Sequence, residues 1–234
     1  MHTSFKTFLA ATALGLAAAL PANAQLLLSG NAYGTFADPG VANTTVTNGP
    51  VVSTFASGVA YRAVDTQTSV QFTGDTFSNA GNGDRVDLGS LVTTNGRTLL
   101  GTTAKTASMD VYLTLPENGV TAFKLTTLHF SIDSTANNGS LIPDLFFIGH
   151  GDVNSLWVGG REVTFDLHFT TPEFSTGSGA SIAEGSSALD GIYAYIHFTP
   201  VPEPSTYALW GAALLVGVVA IRRVRSTRAS ASAA

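Results

Sequence analysis

Six carboxylates sit where they could do acid–base work: Glu117, Asp144, Glu162, Asp166, Glu173 and Glu184. Cleaving a glycosidic bond takes two carboxyl groups facing each other across it. No motif ties any two of these to one cleft. Glu117 precedes Asn118-Gly119 and reads as a turn residue, and Glu162 enters an extended segment after Gly159-Gly160. The four histidines between residues 25 and 200, His129, His150, His168 and His197, lack the short H-E-x-x-H spacing that marks a zinc site. Three of them fall on the outward phase of alternating segments, beside Phe130, Phe169 and Phe198, so they are expected on exposed strand faces. A G-x-S-x-G nucleophile elbow is also missing. Ser178 between Gly177 and Gly179, and Gly149-His150-Gly151-Asp152, come nearest to it, and the Ser178 stretch reads as a connecting loop. The chain is therefore expected to be non-enzymatic, with a secreted hydrolase of unrecognised type as the third reading.

Two other groupings point to binding. Asp75, Asn79, Asn82, Asp84 and Asp87 offer hard oxygen ligands in a Gly-rich stretch, with Asp75, Asp84 and Asp87 as calcium candidates. Their spacing is not that of an EF-hand, and such stretches commonly form turns without an ion. No other cofactor is expected. Tyr193 and Tyr195 share one phase of an alternating segment, and Trp157 stands next to a Gly pair, so these three are candidate ligand-binding aromatics suited to stacking on sugar rings. The alternative, that this strand face is covered by another layer, stays open.

Charge narrows the partners. Between residues 25 and 200 the six cations Arg62, Arg85, Arg97, Lys105, Lys124 and Arg161 stand against fifteen Asp and Glu, a net charge of −9. Such a body repels phosphate backbones, which argues against nucleic acid as a partner. With no cysteine, disulfides, thiol catalysis and thiolate metal sites are excluded, so stability must rest on burial and sheet hydrogen bonds.

The elements that must position these residues are strands. Thr, Ser, Gly, Asn and Val dominate the body, and no stretch of it shows helical periodicity. Val111, Leu113 and Leu115 alternate with Tyr112 and Thr114, and Leu128, Phe130 and Ile132 alternate with His129, Ser131 and Asp133. Val163, Phe165, Leu167 and Phe169 repeat the pattern, as do Ile192, Ala194, Ile196 and Phe198. Asn-Gly dipeptides at 48, 82, 95, 118 and 138 supply residues that tolerate the positive φ of tight turns. The expectation is an all-β fold, an antiparallel β-sandwich, jelly-roll-like or Ig-like, over residues 25–200. Its first part, to about Gly49, looks less regular.

Both ends carry sorting chemistry. Lys6, an apolar run from Phe8 to Leu20, Pro21 and Ala22-Asn23-Ala24 have the order of a signal peptide over residues 1–24, cleaved by signal peptidase after Ala24. At the other end come Pro202-Glu203-Pro204, fifteen apolar residues from Tyr207 to Ile221, then Arg222, Arg223, Arg225 and Arg228. Fifteen helical residues span about 22 Å, a marginal transmembrane helix against a hydrocarbon core of about 30 Å. The arginines would act as the stop-transfer signal on the cytoplasmic side. This layout over residues 201–228 resembles the PEP-CTERM sorting signal. The resemblance implies recognition and cleavage by exosortase, with Pro202, Glu203 and Pro204 as the recognised motif. It also implies export through the inner membrane of an exopolysaccharide-producing Gram-negative bacterium, transient anchoring, and delivery to the cell surface or extracellular matrix. Within the body, Val86-Asp87-Leu88-Gly89-Ser90-Leu91 with Asn95-Gly96 and Gly101-Thr102, then Pro143-Asp144-Leu145, Ala183-Glu184-Gly185 and Ile192-Tyr193-Ala194, resemble the choice-of-anchor K domain. The function expected is a non-enzymatic structural role at the surface or in the matrix; the alternative is a carbohydrate- or matrix-binding module, with exopolysaccharide as its partner.

Overall fold

The computed structural model of the chain describes residues 26–134, 143–171, 179–199 and 211–218. Alternating segments become strands wherever the sequence pattern places them, and they pair into two sheets. One has six strands in the order β12 (Ala180–Ile182), β9 (Asp144–His150), β8 (Val120–Asp133), β7 (Thr106–Leu115), β1 (Leu28–Phe36) and β5 (Thr76–Ala80). The other has seven: β10 (Leu156–Val158), β11 (Arg161–Phe169), β13 (Ser187–Phe198), β6 (Arg85–Thr94), β4 (Thr68–Gly74), β3 (Val52–Ser57) and β2 (Thr44–Asn48). Every neighbouring pair is antiparallel. All thirteen strands belong to the unit Leu26–Thr199.

A single apolar core draws on both sheets. Val111, Leu113, Leu115, Leu128 and Phe130 of the six-stranded sheet share it with Phe72, Leu91, Val163, Ile192 and Ile196 of the seven-stranded one. Each such side chain stabilises the fold by roughly 1.5–3 kcal/mol when fully buried. The inward sets expected from the sequence for β7, β8, β11 and β13 are the buried ones.

Turn chemistry holds at several joints. Asn48 ends β2 and Gly49 opens its connection to β3, and Gly83 and Gly119 take φ of 85° and 73° in the connections before β6 and β8. Gly159-Gly160, with φ of 57° and 76°, closes the β10–β11 hairpin, as a two-residue type I′ turn requires. Asn138-Gly139 lies outside the described residues. Asn95-Gly96 behaves differently from the turn expected there. Asn95 is fully buried and its Nδ2 donates to the Ile182 carbonyl at 2.7 Å, while its backbone bonds Gly185 and Ser186. The pair is an internal joint, because the chain leaves β6 beneath the β12–β13 turn.

The segment before Gly49 is also more regular than expected. β1 lies inside the six-stranded sheet, between β7 and β5. Its inward positions include Ala32 and Gly34, and a Cβ on Gly34 would fall 2.6 Å from Met109 Sδ and 2.7 Å from Phe72 Cδ1. Close packing demands small residues there, so the apolar alternation that marks the other strands is absent from its sequence. In the other unit, residues 211–218 form a helix within the expected 207–221 span, whose remaining residues lie outside those described. Among the described residues no helix is long and apolar enough to cross a membrane.

Candidate functional site

Three central strands of the seven-stranded sheet bring their outward side chains into one cluster. Register sets it: Asp166 of β11 lies opposite Tyr195 of β13, which lies opposite Arg85 of β6. One step along, His168 lies opposite Tyr193, which lies opposite Asp87. Alternation along each strand puts all six on the outer face.

A bulge sets the register of both rows. Ile192 pairs with Gly89 and Tyr193 with Asp87, so Leu88 is the extra residue. Along β6 the buried positions shift from Val86 and Leu88 to Leu91 and Thr93 across this point. Gly89 carries the distortion with φ of 148°, and a Cβ there would stand 2.3 Å from the Thr73 carbonyl oxygen. Only glycine fits this combination of backbone and close approach.

The side chains lock together. The Arg85 guanidinium lies 3.9 Å from the centre of the Tyr193 ring. His168 stacks on Tyr193 with centroids 5.3 Å apart and planes 17° off parallel. Tyr195 meets both edge-on, at 5.6 Å from His168 and 5.9 Å from Tyr193. Arg85 Nε and Nη2 both donate to Asp87 Oδ1, at 3.1 and 2.8 Å, and this hydrogen bond raises the Arg85 pKa further above its ordinary value. His168 Nε2 lies 3.0 Å from Asp166 Oδ2. The charged members stay accessible, with Asp87 and Asp166 both about 60% exposed. On the Arg85 and Asp87 side of the cluster lie two open polar hollows of about 350 Å³ each. One is lined by Asp75, Asp84, Arg85 and Asp87 with the β5 strand, the other by Gly74, Asp87, Gly89, Ser90 and Gly191. Asp75 and Asp87 border both, so the hollows adjoin.

Aromatic faces flanked by carboxylates, a guanidinium and bare glycine backbone suit a ligand with apolar ring faces and many hydroxyls. Rings stack on the CH faces while carboxylates and Arg take the hydroxyls. Of the expected ligand-binding aromatics, Tyr193 and Tyr195 are in the cluster. Trp157, 69% exposed on β10 and opposite Glu162, faces the same side but stands about 16 Å from Tyr195 by strand spacing and rise.

The calcium candidates Asp75, Asp84 and Asp87 border one hollow, but each is held by a different partner. Asp84 Oδ2 accepts from the Gly81 N–H and Asp75 Oδ1 from the Thr76 N–H. Asn82 Oδ1 accepts from the Phe198 N–H, and Asp87 is held by Arg85. Among the described residues, no three His, Asp or Glu side chains are grouped to hold a metal. The physical reason is that the stretch is not one loop. β5 ends at Ala80 and β6 begins at Arg85, which puts Asp87 on a strand face and Asp84 inside its own turn.

The acid–base candidates are dispersed as well. Glu117 sits in a 3-10 turn and Asp144 is buried in β9 of the other sheet. Glu162 accepts from Ser155, and buried Glu184 pairs with Arg97 at 3.3 Å. Asp166 pairs with His168, and Glu173 lies outside the described residues, as do Ala22, Ala24, Pro202, Glu203, Pro204, Arg222, Arg223, Arg225 and Arg228. Arg85 and Asp87 entered no expected aromatic site, since only the bulged register sets them beside Tyr193. No protein-family model matches the chain, and no curated protein matches it in sequence.

Proposed function

We propose that the protein is an exported, non-enzymatic module of the cell surface or extracellular matrix that binds carbohydrate on the outer face of its seven-stranded sheet. The observation that carries this reading is the cross-strand cluster of Arg85, Tyr193, His168 and Tyr195 beside two polar hollows. Its ligand is an exopolysaccharide segment, stacking on the exposed Tyr195 ring while hydroxyls meet Asp87, Asp166 and Arg85. The body is a β-sandwich, jelly-roll-like in breadth. Thirteen strands exceed the seven to nine of an Ig domain, and one core shared by both sheets favours face-to-face packing.

Sorting supplies the address. The signal peptide over 1–24 exports the chain, and the tail over 201–228 holds it at the membrane until exosortase cleaves near Pro202-Glu203-Pro204. The order of motif, apolar run and arginine cluster in the sequence supports this.

Calorimetric titration of the full chain with purified exopolysaccharide tests the binding reading. Saturable binding that persists in moderate salt and falls on Tyr193→Ala supports it. Wild-type protein that gives no saturable heat refutes it.

A further inference from the structure

Away from the aromatic cluster, two loops tied to each other carry the most exposed aliphatic side chains among the described loop residues of the β-domain. Residues 58–67 connect β3 to β4, and residues 95–105 connect β6 to β7. Val64 is 86% exposed and Leu100 is 68% exposed, and Val59, Tyr61 and Leu99 are exposed beside them. Large aliphatic groups held in water on adjoining loop tips call for an apolar partner.

The loops are built rather than loose. Ala60 and Thr98 form an antiparallel bridge. The Tyr61 N–H donates to the Arg97 carbonyl, Leu99 N–H to Val59, Thr102 N–H to Leu99 and Asp65 N–H to Arg62, all within 3.1 Å. The Val59 N–H donates to Thr102 Oγ1 at 3.0 Å, and Gln67 Nε2 to the Gly58 carbonyl at 2.7 Å. Backbone groups so satisfied can approach hydrocarbon without the penalty that unpaired ones incur.

Charge is distributed to match. Arg62, Arg97 and Lys105 are three of the body's six cations, and with Asp65 and Glu184 they leave this end at +1. The other three cations and thirteen acids put −10 on the rest of the body. Arg97 is paired with Glu184, while Arg62 and Lys105 have no ion pair among the described residues. Arg62 lies 5.6 Å from the Tyr61 ring, so a cation and an amphipathic aromatic stand next to the apolar tips. That is the order a bilayer interface takes: aliphatics in the acyl boundary, Tyr at headgroup depth and cations on anionic headgroups.

We propose that the 58–67 and 95–105 loops dock the β-domain on a bilayer surface containing anionic lipid, with Val64 and Leu100 entering the interface and Arg62 and Lys105 holding the headgroups. The acidic remainder of the body is repelled by the same surface, so it faces outward. This contact is independent of the carbohydrate reading and of the apolar tail.

The lack of cysteine makes the test direct, since one introduced cysteine is a unique label. Full-length Val64→Cys, Leu100→Cys and, as control, Asp152→Cys carry an environment-sensitive fluorophore. Each meets vesicles of phosphatidylcholine alone or mixed with phosphatidylglycerol. The expected result is a blue shift at positions 64 and 100 with the mixed vesicles and none at 152. Reversing both cations, Arg62→Glu with Lys105→Glu, should raise the lipid concentration needed by about tenfold or more. Position-specific shifts separate the loops from the tail, which partitions by itself. Three outcomes overturn the proposal: no shift at 64 and 100 with mixed vesicles, an equal shift at 152, or a shift that grows with protein concentration in the absence of lipid. The last would assign the patch to a second copy of the chain.

Discussion

Replacing Gly89 by alanine tests the bulge on which the aromatic cluster depends. The residue holds φ of 148°, and its Cβ would sit 2.3 Å from the Thr73 carbonyl and 2.8 Å from Phe72 Cζ, itself fully buried. The strained backbone costs about 1–3 kcal/mol and the forced repacking a further 1–3 kcal/mol, so a loss of about 4 kcal/mol is expected. For a domain of this size each kcal/mol moves Tm by about 2–4 °C, which puts the melting point down by about 12 °C. Gly83 is the matched control. Its φ of 85° is equally unfavourable to alanine, but nothing lies within 4 Å of its Cβ, so Gly83→Ala should cost only about 1–2 kcal/mol. Thermal unfolding of both variants, followed by far-UV circular dichroism, reads the difference. If Gly89→Ala melts within a few degrees of Gly83→Ala, close approach to β4 is not what the glycine serves, and the account of the bulge fails.

Three further outcomes are expected. Tyr193→Ala should weaken exopolysaccharide binding by about three- to tenfold, the range of an aromatic contact of about 0.5–1.5 kcal/mol, while Trp157→Ala has a smaller effect; calorimetric titration distinguishes them. Asp110 sits under opposing influences: burial pushes its pKa up, but hydrogen bonds from Lys124, Thr127 and Tyr112 together with the Lys124 charge outweigh this and hold it below the ordinary carboxylate range. A depressed folded pKa gives stability that is present above the unfolded value of about 3.9 and is lost as pH falls through the folded value. Because the pair is partly exposed, that share is only about 0.5–1 kcal/mol, and Asp110→Asn should abolish the corresponding acid-side fall in urea midpoint. For sorting, Glu203→Ala should leave the protein in the inner membrane with its arginine tail, whereas the native protein should lose that tail; mass and fractionation of both from cells decide the matter.

The strands that read plainly were those whose inward residues are large. Val111, Leu113 and Leu115, or Val163, Phe165, Leu167 and Phe169, announce a buried face by size and period alone. β1 was obscured because Met109 and Phe72 fill the space that a side chain at Gly34 would need. The phase shared by Tyr193 and Tyr195 is a local property and was legible. Their junction with Arg85 and His168 was not, because it depends on β13 lying between β6 and β11 and on a one-residue slip at Leu88. The calcium candidates are held apart for a related reason. Asp75, Asp84 and Asp87 are neighbours in sequence, yet a strand, a turn and a second strand turn their carboxylates to different partners.

By itself the sequence determined an all-β, acidic, cysteine-free body, the faces of its strong strands, and the calcium, aromatic and sorting candidates as separate hypotheses. Tertiary structure alone decided which of the body's candidates stand together, Tyr193 and Tyr195 joining Arg85 and His168. Alternation has a period of two and is written in consecutive residues, whereas strand neighbours and register depend on closing long loops around a shared core. That is why Arg85 came to lie over Tyr193, and why Asp75, Asp84 and Asp87 border one hollow yet are not grouped as a metal site among the described residues.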